Sequence, residues 1–216
     1  MTAASAIALI ALLHVPAAPA AQSASAASLP LPAAIPIFPL QDVTLFPNST
    51  QPFHIFEPRY RAMVADALAS DSVIGMVLLQ PGFEAQYEGR PPVFAVGCAG
   101  VIIAAEELAD GRYNIVLRGV TKFRILGEDQ GRAYRVAQVE EIPEVVAEAD
   151  RPLLAQWRSQ IDASLLSAFP GAPRPPSDMS DEEVVDAVSL ILPMEPSERQ
   201  RLLEADGPVE RASNLA

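Results

Sequence analysis

Hydrophobic and polar positions change their spacing along the chain, and each change marks a new element. Ile35 to Leu40 is a short apolar run and reads as a strand. Pro36 and Pro39 cannot donate to a ladder, which predicts an edge or entry strand. The turn formers Asp42, Pro47 and Asn48 follow, then a second apolar run, Pro52 to Phe56. Glu57-Pro58 opens a helix, with proline where a missing N–H costs least. Tyr60, Met63, Val64, Ala67 and Leu68 fall at i, i+3, i+4, i+7 and i+8, which predicts one apolar face. Arg59, Arg61 and Asp66 occupy the other side. Val73 to Gln80 is apolar throughout and bounded by turn signals, as expected of a strand buried on both faces.

Pro81 to Pro92 is a loop by composition, yet it carries Phe83 and Tyr87. Val93 to Leu108 is apolar and small, and Gly97 and Gly100 within it predict a bulge, a bend or a close backbone approach. Asp110-Gly111 is a hairpin signal. In the return strand, Arg112 to Leu126, Tyr113, Ile115 and Leu117 alternate with Asn114, Val116 and Arg118, and Gly119 resets the pleat. Ala133 to Ile142 alternates again as a last strand, ended by Pro143. From Asp150 the period becomes helical. Asp150 is the expected cap, and Leu153, Leu154, Trp157, Ile161, Leu165 and Ala168 form a stripe. Pro170 to Ser177 is a linker. Ser180 to Glu183 is a capping box for a helix burying Val184, Val185, Val188, Ile191 and Leu192. Glu195-Pro196 opens a further helix with Leu202 and Leu203, ended by Gly207-Pro208, and a last turn runs from Val209 to Leu215.

The order of elements around PLQDVTLFPNSTQPFHIFEPRY resembles the start of the LON substrate-binding domain, the N-terminal domain of ATP-dependent Lon proteases. That domain also occurs alone in small bacterial proteins. The matching residues are Pro39, Leu40, Val43, Leu45, Phe46, Pro47, Pro52, Ile55, Phe56, Glu57, Arg59 and Tyr60. DGRYNIVLRGVTKFRI resembles the domain's second signature, through Gly119, Lys122, Phe123, Arg124 and Ile125. The tail from Leu192 resembles the helical end of standalone LON-domain proteins. The resemblance implies an α+β fold: a partly open, PUA-like six-stranded β-barrel with one crossing helix, followed by a C-terminal helical subdomain. The expected division is 1–32 leader, 33–143 barrel and 144–216 helices. Within the motifs, Pro39, Leu40, Phe46, Pro47, Phe56, Glu57, Arg59, Tyr60, Gly119 and Phe123 are read as structural.

Composition narrows the function. The chain has 216 residues, half of them hydrophobic, so a sizeable core is within reach. Its net charge is −12, which repels phosphate backbones and argues against nucleic acid. It has one lysine, Lys122, and one cysteine, Cys98, so no internal disulfide forms. His14 and His54 with Cys98 give no zinc set, and no cofactor is expected. Met1 to Pro32 lacks any Asp, Glu, Lys or Arg. Ala3 to Val15 has signal-peptide length, too short to span a bilayer comfortably, and Ala18-Pro19-Ala20 supplies a cleavage pattern near Ala20-Ala21. Export to the periplasm is the expectation. A disordered tail on a cytoplasmic protein, or a false start codon, is the rival.

No GxxxxGK[ST], GxSxG or HExxH is present, and the adjacent carboxylates Glu106-Glu107 and Glu140-Glu141 point to opposite strand faces. The resemblance therefore implies a non-catalytic module that recognises exposed, partly unfolded polypeptide. Phe53, Phe83 and Tyr87 are the candidate contact residues, with Phe83 and Tyr87 as a lid over the barrel as the blander reading. A separate protease or chaperone is the possible partner. One enzymatic alternative is a cysteine hydrolase using Cys98 and His54, set against a buried structural cysteine. Lys122, Arg124, Arg132 and Arg135 suggest either a phosphate or acidic-peptide site, or a solvated strand face balanced by Glu128, Asp129, Glu140 and Glu141.

Overall fold

A computed structural model describes residues 30–129, 131–171 and 174–216. The expected export signal and His14 lie outside the described residues, as do Ala172 and Pro173 of the expected linker. Six strands form: β1 (Ala34–Leu40), β2 (Thr50–Ile55), β3 (Val73–Leu78), β4 (Val96–Glu107), β5 (Tyr113–Asp129) and β6 (Arg135–Ile142). Helix α1 (Pro58–Leu68) crosses between β2 and β3, and α2 (Arg151–Ala168), α3 (Asp181–Ile191), α4 (Pro196–Glu204) and α5 (Gly207–Leu215) follow the sheet. The residues from Leu31 to Ala216 make one unit.

The sheet order is β2-β5-β4-β3-β1-β6, and β6 pairs a second time with β5. β5 can serve both because it is long. Its first half, Tyr113 to Arg118, pairs with β2, and its second half, Lys122 to Asp129, pairs with β6. The sheet thus rolls up on itself and leaves β2 as a free edge. Register shifts on β4 and β5 leave Val120, Ile103 and Leu126 without ladder partners. These three are exposed apolar residues. An extra residue bends a strand and increases its twist, which is what a small rolled sheet requires.

β1 enters the sheet first but lies in its interior, so of the edge or entry strand expected from its prolines only the entry is found. Ala34 to Ile37 pair with β6 and Ile37 to Leu40 pair with β3. The Ala33 carbonyl accepts from Val139 of β6, and the Leu40 carbonyl accepts from Leu79. By alternation, the Pro36 nitrogen faces the β3 side before that pairing begins. The Pro39 nitrogen faces the β6 side after that pairing has ended. Neither proline removes a ladder bond, because the strand changes partners at Ile37.

Around β1 and β3 both faces of the sheet are covered, so these strands read as near-continuous apolar runs, whereas β5 and β6 alternate. One face holds Ile35, Ile37, Val77, Ala99, Phe123, Ala137 and Val139. Phe123 fills its centre because Gly75 and Gly97 face it; a Cβ on either would lie 2.7 Å from the ring. The other face packs Phe38, Phe46, Met76 and Leu117 against α1 and against Leu202 and Leu203 of α4. A third cluster joins α2, α3 and α5 through Leu154, Ile161, Val184, Val185, Val188 and Ala212.

Several helix expectations need correction. Leu68, Leu153, Ala168 and Ile191 are exposed. In α3 the inward positions are taken instead by Asp186 and Ser189. Asp150 makes no capping bond, since a 3-10 turn, Glu148–Asp150, leads into α2. Gly207-Pro208 begins α5 rather than ending α4, with Gly207 at φ +86°. The Ser180 capping box is present with both bonds.

The basic cluster is a solvated face only in part: Arg124 and Arg132 are exposed, and Arg132 pairs with Asp66 at 2.5 Å. Lys122 and Arg135 are buried. Arg135 pairs with Glu128 and donates to the Pro91 carbonyl at 2.7 Å. Lys122 Nζ pairs with Glu144 at 2.8 Å and donates to the Ala205 carbonyl at 2.6 Å. Glu144 also pairs with Arg211 at 2.6 Å, and Arg211 in turn pairs with Asp186. The Asn48 amide donates to the other Asp186 oxygen at 2.9 Å, and Arg211 Nε donates to the Leu202 carbonyl at 3.0 Å. This network ties the sheet, the 41–49 loop and three helices together.

Burial pushes the Asp186 carboxyl up to about 7, against the pull of Arg211 and Asn48. Because the folded value lies above the unfolded one, this group's contribution to stability is full below about pH 4. It is lost as pH rises through about 7. Asp186→Asn is therefore expected to flatten the dependence of the urea midpoint on pH between those limits. An unchanged slope would show that Asp186 does not titrate there.

Candidate functional site

β2 follows the tight turn at Phe46–Ser49, where Asn48 takes φ +60°. The Ser49 carbonyl accepts from Gly119 at 2.8 Å. By alternation Gln51, Phe53 and Ile55 bond to β5, while Thr50, Pro52 and His54 turn their backbone groups to the free edge. Proline at the centre of that row leaves the edge few donors and blunts it.

The side chains of β2, β5 and β4 meet in rows on the open face. Pro52 pairs in register with Val116, and Val116 with Ala104. One step toward the hairpin, His54 lies beside Asn114, and Asn114 beside Glu106. These residues line a shallow groove of about 560 Å³. Its middle is apolar. Arg118, also exposed, follows Val116 on the same face of β5.

The hairpin end of the groove carries a directed hydrogen-bond chain. Arg112 donates to His54 Nε2 at 3.2 Å, His54 Nδ1–H donates to Asn114 Oδ1 at 2.8 Å, and the Asn114 amide donates to Glu106 at 3.0 Å. The guanidinium can only donate, so these partners assign His54 as the neutral Nδ1–H tautomer. Phe56 stacks on His54 at 6.3 Å and is 62% exposed, so it extends the apolar surface beyond this row.

The expected site residues fall in different places. Phe53 turns its ring to the core, edge-on to Phe38 at 5.9 Å. Tyr87 folds back over the barrel. Its hydroxyl donates to Glu57 at 2.8 Å, and Arg59 sits over its ring at 4.8 Å while donating to the Tyr87 and Glu88 carbonyls. Burial pushes the Tyr87 hydroxyl well above the usual phenol range. The motif residues Glu57, Arg59 and Tyr60 thus clamp the 81–92 loop. Phe83 is half-buried in that loop, at the start of a 3-10 turn. Of the remaining motif positions, Phe46 and Phe123 are in the core, and Pro39 and Leu40 lie in β1. Pro47 and Gly119 lie on opposite sides of the clamped turn. Phe56 alone stands out in solvent. Only its place past the end of β2 reveals this, because its sequence signal is that of any core aromatic.

Cys98 and His54 are not brought together. Cys98 is fully buried and donates to the Ala99 carbonyl at 3.6 Å, and burial raises its thiol far above the thiolate range. It pairs in register with Lys122, whereas His54 pairs with Asn114, eight residues away along β5. That is about 26 Å of strand at the usual rise. The pair needed by a cysteine hydrolase is absent from this arrangement.

Residues 34–216 match the family model for the ATP-dependent protease La (LON) substrate-binding domain. The chain belongs to the LON substrate-binding domain family. It is 23% identical to the Lon protease of Anaeromyxobacter dehalogenans over 181 residues, which cover 81% of this chain and 21% of that protein. It is 32% identical over 114 residues to Lon protease 2 of Syntrophobacter fumaroxidans, covering 53% of this chain and 14% of that one. The chain thus spans only a minor part of these relatives. Among solved structures, the Lon N-terminal domain protein from Xanthomonas campestris superposes with a TM-score of 0.59 at 23% identity, covering 84% of this chain and 96% of that one. The N-terminal domain of the Mycobacterium avium complex Lon protease superposes with a TM-score of 0.62 at 20% identity, covering 84% and 95%. These likenesses establish the mixed six-stranded LON fold with its helices.

Proposed function

We propose that this LON domain is a non-catalytic recognition module that holds exposed, unfolded polypeptide on the open face of β2, β5 and β4. The observation that carries this reading is the apolar middle of that face. Pro52 and Ala104 are exposed and Val116 between them is half-buried, with the exposed Phe56 beyond one end. In a chain of the substrate-binding family, an uncovered apolar strip beside a free edge is suited to contacting extended segments. The blunted edge shifts the contact from backbone pairing to the side-chain face. In this reading the module presents or shelters clients, alone or beside a separate protease or chaperone, and cuts nothing itself.

The test is fluorescence anisotropy with a labelled, reduced and carboxymethylated protein as client. Saturable binding is expected. Val116→Asp and Phe56→Ala should each weaken it by about tenfold, the scale of a central contact residue. Neither change should lower the urea midpoint appreciably, since both side chains reach solvent. Binding unaffected by both variants would move the site elsewhere, and no binding at all would end the proposal.

A further inference from the structure

The groove is charged at both ends and with opposite sign. Glu106 lies in the row at the hairpin end, and among the described residues only one of its carboxylate oxygens is used, by Asn114. Arg118 lies at the other end and makes no side-chain hydrogen bond or ion pair among the described residues. The register sets their separation. Asn114, beside Glu106, and Arg118 are four residues apart on β5, about 13 Å at the rise of a strand. Val116 and its apolar neighbours lie midway.

An extended chain laid along this face has the same period. Its residues i, i+2 and i+4 point to one side and span about the same 13 Å. We infer that the face selects extended client segments presenting a basic, an apolar and an acidic side chain at i, i+2 and i+4. The basic group meets Glu106, the apolar one meets Pro52, Val116 and Ala104, and the acidic one meets Arg118. The reverse order is equally accepted, since a chain can run either way across side chains when no ladder fixes its direction. This inference rests on the proposed function above and supplies its substrate class.

Both charges are exposed, so each pairing is a modest contribution and is screened by salt. The effect is therefore one of preference among segments that share an apolar centre. Four fluorescein-labelled ten-residue peptides in a Ser/Gln background separate the cases in anisotropy titrations. They carry Lys-x-Leu-x-Glu, Lys-x-Leu-x-Lys, Glu-x-Leu-x-Glu and Gln-x-Leu-x-Gln. The mixed-charge peptide is expected to bind about five- to tenfold more tightly than the others at low salt. The gap should close at high salt. Glu106→Lys should turn the preference to the Glu-x-Leu-x-Glu peptide, because both ends of the groove are then cationic.

Equal binding of all four peptides, or no change of preference in Glu106→Lys, overturns the charge pattern while leaving polypeptide recognition standing. Failure of both the peptides and the unfolded client to bind removes the proposed function as well. Concentration-dependent dimerisation in sedimentation that Val116→Asp abolishes would assign the face to a second copy of this chain, and would also overturn the inference.

Discussion

Arg211→Ala is expected to lower the unfolding free energy by about 3–5 kcal/mol, read as a lower urea midpoint. The guanidinium is fully buried and satisfies three groups in three directions: Asp186, Glu144 and the Leu202 carbonyl. It also lies over the Phe46 ring at 5.4 Å. Removing it leaves two buried carboxyls facing one cation, Lys122. Breaking such a network costs far more than the intact network contributes, because the remaining charges stay desolvated. Arg211→Lys should recover less than half of the loss, since an ammonium cannot reproduce the planar fork. The penalty should shrink as pH falls through about 7 toward 4, because Asp186 takes up a proton over that range. A penalty that stays below about 1 kcal/mol, the scale of a surface pair, would show that the helices are held to the sheet by apolar packing alone.

Gly119→Ala is the second large effect, with a loss of at least about 3 kcal/mol or failure to fold. A Cβ at Gly119 would lie 2.0 Å from the Phe46 carbonyl oxygen and 2.9 Å from its carbon. That carbonyl cannot withdraw. Its turn is clamped by Asn48 N–H to Gly119 at 3.0 Å, by Gly119 N–H to Ser49 at 2.8 Å and by the Ser49 hydroxyl to Phe46 at 2.6 Å. Moving the turn would also draw the Asn48 amide from Asp186, so this variant and Arg211→Ala act on one connected assembly and should be less than additive. Gly127→Ala is the control. Its Cβ would meet only the end of the Gln138 side chain at 3.4 Å, so it should be nearly neutral. A stable Gly119→Ala protein would show that the 46–49 turn is dispensable to the fold.

Much of the fold was legible because local rules acted alone. The Asp110-Gly111 hairpin forms with Gly111 at φ +77° and Asp110 accepting from the Arg112 N–H. The α1 stripe buries Tyr60, Met63, Val64 and Ala67 as its period requires. Ser180 caps α3 with Glu183. The family signatures extended this to a partly open six-stranded barrel, and the matched positions Glu57 and Arg59 take their meaning from Tyr87, which docks on them.

The candidate site was much less legible. Its apolar centre comes from Pro52, Val116 and Ala104, which lie on three strands and carry no shared motif. Phe53 and Phe56 look alike in sequence, yet pleat parity sends one ring to the core and the other to solvent. Asp186 and Arg211 look like surface charges on amphipathic helices and are among the most buried groups in the chain.

The sequence by itself determined most of the elements, the hairpin, the Ser180 cap and the family. Those depend on backbone preferences and on periods of two and 3.6 residues within one segment. The tertiary structure alone decided that β1 changes partners at Ile37, that β5 is shared by β2 and β6, and that one row of β2, β5 and β4 stays open. Those outcomes depend on which distant segments close the sheet, and no period within a single segment encodes a partner such as Gln138 for Ala34 or Arg118 for Thr50.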